Sequence, residues 1–68
     1  MNIDRNLLIQ EIGSQGLSIR GLAARAGITE TTAGAVVRGQ RRPNIATAGK
    51  ISRALDVPLS ALMIEHRG

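Results

Sequence analysis

Residues 27–39 read "GITETTAGAVVRG". Thr29 can cap a helix that starts at Glu30, and Gly27 and Gly39 stand on either side of it. Gly34 then falls in the middle, where glycine is about 1 kcal/mol worse than alanine. Within the helical part the bulky apolar residues are Val36 and Val37. Helical spacing sends Ile28, Ala33, Val36 and Val37 to one side, and Glu30, Thr31, Gly34, Ala35 and Arg38 to the other. The outer face is therefore small, with two charged side chains. Two explanations of Gly34 stand open. It can let the backbone approach a partner closely, or it can relieve crowding against a neighbouring helix.

Working outward, the chain reads as short helical segments cut by glycine or proline. The segment before the quoted stretch has Ser18 as cap, runs about Ile19–Ala26, and buries Leu22, Ala23 and Ala26. Gly27 follows where a left-handed terminating residue belongs. Ahead of it, Asp4 can cap a helix of about Asp4–Ile12 with Leu8 and Ile12 on one face and Leu7 and Ile9 beside them. "GSQG" stops that helix. After "RRPN", Asn44 can cap a fourth helix in which Ile45, Ala48, Ile51 and Leu55 repeat at helical spacing. Pro58 suits the first position of a short fifth helix, with Leu59, Leu62 and Met63 packing back on the core. No stretch alternates with period two, so no sheet is expected. The spacing predicts an all-α, compact five-helix bundle, one domain over residues 1–68 with its core at about 4–64.

The composition narrows the function. The chain has 68 residues and no aromatic side chain, so its core must be Leu, Ile, Val, Met and Ala. Without cysteine there is no disulfide and no thiolate metal site. The single histidine, His66, lies in the tail, and one ligand does not make a metal site. No nucleophile–base pair, metal cluster or phosphate-cradling glycine loop is evident, so neither an enzyme nor a cofactor is expected. No segment is apolar enough for a membrane span, and "MNIDRNLLIQEIG" does not read as a signal peptide. Nine basic residues against five acidic give a net charge of +4. Arg38, Arg41 and Arg42 cluster in "RGQRRPN", Arg20 and Arg25 share one segment, and Lys50 and Arg53 share another. Such a balance favours a polyanionic partner, although a solvated basic surface gives the same composition.

The second and third segments are joined by "AGIT". Two helices of about eight residues around a short glycine turn form a helix-turn-helix layout. A helix that enters the DNA major groove, about 12 Å wide, has little room for bulk. Small residues such as Gly34 and Ala35 suit that approach, and Glu30 and Thr31 at the N-terminal end can reach base edges.

The stretch "LSIRGLAARAGITETTAGAVVRGQRRPNIATAGKISRALDVPLSAL" also resembles the lambda-repressor/Cro-type, XRE-like helix-turn-helix family. The match is carried by Ser18, Leu22–Ala23, Gly27, Glu30–Arg38, Gly39, Arg41–Pro43 and Ala54–Leu62, and covers about residues 5–64. The resemblance implies operator binding to double-stranded DNA, usually as a homodimer, with no small-molecule ligand. It implies base contact by Glu30, Thr31 and Ala35, with Thr32 at the margin. It also implies phosphate contact by Ser18, Ile19 and Arg20 at the start of the second helix, and by Arg38, Gln40, Arg41, Arg42 and Asn44 in the following loop.

Three positions depart from the family pattern. Ile19 stands where Gln is frequent, which leaves backbone N–H groups to meet phosphate. Val37 stands where many members have Glu. Glu30 is acceptor-only: it can accept a hydrogen bond donated by cytosine N4–H or simply favour the positive end of the helix. In the fifth segment Leu59, Leu62, Met63 and Ile64 supply more apolar side chains than one face needs, so they are candidates for a dimer interface as well as for core.

The expected function is a sequence-specific transcriptional regulator of repressor type, cytoplasmic and bacterial or phage in origin. The competing reading is a protein-interaction module that reuses the fold, as in an antitoxin or anti-regulator. Such a module would not need arginines beside the third helix.

Overall fold

The computed structural model describes residues 2–64. His66 lies outside the described residues. The elements are β1 (Asn2–Ile3), α1 (Arg5–Ser14), α2 (Ile19–Ala26), α3 (Glu30–Val37), α4 (Ile45–Leu55), α5 (Leu59–Leu62) and β2 (Met63–Ile64).

All four expected polar caps are formed. Asp4 Oδ1 accepts the Leu7 N–H at 3.1 Å, Ser18 Oγ the Gly21 N–H at 3.0 Å, Thr29 Oγ1 the Thr32 N–H at 3.1 Å and Asn44 Oδ1 the Thr47 N–H at 2.8 Å. Each satisfies a backbone donor that the helix cannot, a contribution of about 1 kcal/mol. The helix ends are equally local. Gly27 has φ +73° and Gly39 has φ +76°, and the N–H of Gln40 reaches the Ala35 carbonyl at 2.9 Å. The last turn of α3 is thereby closed in a Schellman arrangement. Asp56 ends α4 in the same left-handed region without being glycine. The first helix runs two residues beyond the expected stop. Gln15 anchors its end by donating from Nε2 to the Leu55 carbonyl at 2.7 Å. Pro58 is the cap of α5 rather than its first helical residue.

The core is aliphatic, as a chain without aromatics requires. Leu8, Leu22, Ile51, Leu55 and Leu62 are fully enclosed, and Ala23, Ala33 and Ala48 sit between them. The residues buried on α2 and α3 are mostly small, namely Ala23, Ala26 and Ala33 beside Leu22 and Val36. The one buried polar side chain among the described residues, Ser52, donates to the Gly49 carbonyl at 2.9 Å.

Ile45, expected in the apolar stripe of α4, and Ile9, expected beside the buried face of α1, are on the surface. Ile45 is 67% exposed and Ile9 49%. Ile45 is the first residue of α4, and helix side chains lean toward the N-terminus, so it overshoots the core. Ile9 is one residue, about 100°, round the helix from Leu8.

The chain also makes a short antiparallel ladder that the expectation of no sheet omitted. Asn2 pairs with Ile64 and Ile3 with Met63, and Asp4 N–H continues the register to the Leu62 carbonyl at 2.8 Å. Two-residue strands are too short to show a period. The ladder brings Ile3 into the core, at 9% exposure. No helix among the described residues is long and apolar enough to cross a membrane.

Candidate nucleic-acid interface

The turn Gly27–Thr29 sets α3 against α2, with Leu22, Ala23 and Ala26 on one side of the contact and Ala33 and Val36 buried on the other. That packing turns the opposite side of α3 outward. An open groove there is lined by Ile19, Glu30, Thr31, Ala35, Arg38 and Gln40. Six of the twelve residues assigned from the sequence to base or phosphate contact thus share one surface. They come from the start of α2, the length of α3 and the loop after it.

The others flank this surface. Thr32 belongs with Arg41, Arg42, Asn44 and Thr47 around a second concavity. Its hydroxyl accepts from Thr29 Oγ1 at 2.9 Å, which turns it toward the cap. Ser18 and Asn44 use side-chain oxygens as caps. Their roles at the helix starts are structural first, and any phosphate there would meet the remaining N–H groups of the first turn.

Glu30 is not a lone carboxylate. Arg20 Nε lies 3.3 Å from Glu30 Oε1, joining the starts of α2 and α3. Both side chains are largely exposed, at 83% and 56%, so the pair adds little stability. Its importance is local charge. Arg20 offsets the charge of the acid where the starts of the two helices meet.

Gly34 lies on the outward face yet is buried. A Cβ built on it would stand 2.9 Å from Arg38 Nη1, 3.2 Å from Nη2 and 3.3 Å from Cζ. The guanidinium of Arg38 therefore lies over Gly34. Of the two explanations open from the sequence, this favours the one on the outward face, because the three nearest atoms belong to Arg38 and not to a neighbouring helix.

Sequence reasoning missed Arg5. Its Nε donates to the Val37 carbonyl at 3.2 Å, and a Cβ on Gly39 would stand 2.9 Å from that nitrogen. A cation thus sits at the C-terminal end of α3, the favourable end of the helix dipole. Arg5 also lines a concavity with Arg41, Arg42 and Pro43. Nothing in the sequence links residue 5 to residues 37 and 39, because the contact spans 32 positions. Arg25, Lys50 and Arg53 line a separate concavity that shares no residue with these.

The expected dimer residues divide differently. Leu62, for which core and interface both stood open, is fully enclosed in the core and is no interface residue. Leu59 is partly buried against the same core, and Met63 is half-buried in the terminal ladder. The side chain of Ile64 lies outside the described part, although its backbone pairs with Asn2.

Comparison with known proteins agrees with this architecture. The helix-turn-helix family model (HTH_3) matches residues 8–62. Among solved structures the chain is similar to an HTH_3 family transcriptional regulator from Vibrio cholerae. The TM-score is 0.75 and the identity 35%, over 84% of this chain and 32% of that one. The present chain therefore spans about a third of that regulator's length. No curated protein matches. With the short glycine turn, the capped α2 and α3 and the match over residues 8–62, the chain belongs to the lambda-repressor/Cro-type helix-turn-helix family.

Proposed function

We propose that this chain is a sequence-specific DNA-binding transcriptional regulator of repressor type, reading the major groove with α3. The observation that carries the reading is the outward groove that joins Ile19, Glu30, Thr31, Ala35, Arg38 and Gln40. Its floor is small, its rim is polar, and Arg41, Arg42 and Asn44 stand beside it. In this reading Glu30, Thr31 and Ala35 face base edges, with Thr32 at the margin. Ser18, Ile19, Arg20, Gln40, Arg41, Arg42 and Asn44 hold phosphates. Arg38 stands between the two sets. Phosphate contacts set register, and the few α3 side chains choose sequence. With side chains this short, methyl contacts to thymine and DNA shape carry part of the choice.

One copy presents few base-reading side chains, so the functional unit on DNA is a homodimer. A symmetric dimer reads an inverted repeat with half-sites about 34 Å apart. Selection from a random duplex pool, followed by sequencing of what is retained, tests this. An enriched inverted repeat supports the reading. Retention without enrichment reduces it to backbone binding. No retention at low salt refutes it and favours a protein partner instead.

A further inference from the structure

Gly34 and Arg38 are four residues apart, so they lie on the same face of α3. Helix side chains lean toward the N-terminus, and Arg38 follows that direction back over residue 34. The distances of 2.9–3.3 Å from a hypothetical Cβ to the guanidinium show that a methyl group there would displace the guanidinium from this position. The other edge of the Arg38 side chain remains exposed, and it lines the same groove as Glu30, Thr31 and Ala35. Among the described residues no acid pairs with it, and Arg20–Glu30 is the ion pair found there.

We infer that Arg38 reads a base, as a bidentate donor to guanine O6 and N7, and that Gly34 is the bed that carries its guanidinium from the helix end to the middle of the reading face. The inference rests on the DNA-binding reading above and changes the role of Arg38 within it. The place of the guanidinium, over Gly34 and on the groove it shares with Glu30, Thr31 and Ala35, favours this over a phosphate contact. Arginine on guanine is also the commonest specific major-groove contact. The mid-helix glycine thereby acquires a reason: it sacrifices helix propensity so that one side chain can lie along the reading face.

The test compares wild type with Arg38→Ala, Arg38→Lys and Gly34→Ala. Dissociation constants are measured on the selected operator and on duplexes carrying each alternative base at each half-site position, over a range of salt. Wild type is expected to prefer guanine at one position per half-site by about 5- to 100-fold. Arg38→Ala should erase that preference and leave the salt slope unchanged. Arg38→Lys keeps the charge but not the fork, and should lose most of the preference. Gly34→Ala should weaken the preference at the same position while leaving helical circular dichroism intact. A uniform loss for Arg38→Ala on all sequences, with the salt slope reduced by about 1, would make Arg38 a phosphate contact and overturn the inference. Wild type that binds no duplex at low salt would remove the DNA reading itself, a different failure from that one.

Discussion

Alanine at Gly34 and alanine at Gly39 should move stability in opposite directions, although both glycines meet an arginine. At Gly39 the backbone has φ +76°, and a Cβ would lie 2.9 Å from Arg5 Nε and 3.0 Å from Arg5 Cδ. A left-handed conformation costs a non-glycine residue about 1–2 kcal/mol. Displacing Arg5 also breaks its bond to the Val37 carbonyl, with a further loss of about 0.5–1.5 kcal/mol. Gly39→Ala should therefore destabilise by about 1.5–3.5 kcal/mol. At Gly34 the backbone is helical, and the atoms nearest the new methyl are the far end of one flexible side chain. Arg38 can swing into solvent, and the gain in helix propensity is about 1 kcal/mol. In a domain of this size about 1 kcal/mol shifts the melting midpoint by roughly 4–8 °C. Thermal unfolding followed by circular dichroism should place Gly39→Ala about 10 °C or more below wild type and Gly34→Ala at or above it. A Gly34→Ala variant that melts well below wild type would refute the reasoning, because something less yielding than Arg38 would then have to cover residue 34.

Other substitutions probe the core, the caps and the basic loop. Leu62→Ala should destabilise by about 2–5 kcal/mol, since Leu62 is fully enclosed, whereas Ile45→Ser at 67% exposure should change stability by less than about 0.5 kcal/mol in chemical denaturation. Thr29→Ala removes the acceptor for the Thr32 N–H and should cost about 1 kcal/mol by the same assay. Arg41→Ala and Arg42→Ala should each weaken binding to operator and scrambled duplex alike and lower the salt slope by about 1, from an expected −4 to −5 for four to six phosphates per monomer.

What was legible in the sequence was local. The caps at Asp4, Ser18, Thr29 and Asn44 bond to N–H groups three residues on, so residue type and neighbours suffice to predict them. The left-handed glycines after α2 and α3 are equally local. The misread positions depend on distant geometry. Period alone put Ile45 in the stripe of α4 but could not show that the core ends before it. Counting apolar residues in α5 could not choose between core and interface for Leu62, while the Ile3–Met63 pairing joins opposite ends of the chain. At the candidate site, the groove-facing residues of α3 followed from helical phase. Arg5 did not, because its partner is 32 residues away. Gly34 lies between these cases: its unusual position is visible in the sequence, and the arginine lying over it is visible only in three dimensions.

The central claim is that α3 discriminates among DNA sequences. The most direct measurement is the ratio of dissociation constants for a selected operator and for a scrambled duplex of equal length, at physiological salt. A specific regulator should bind the operator about 10³-fold or more tightly. Equal affinity for the two, falling together as salt rises, would mean that the arginines hold phosphate while α3 reads nothing, and would contradict the account.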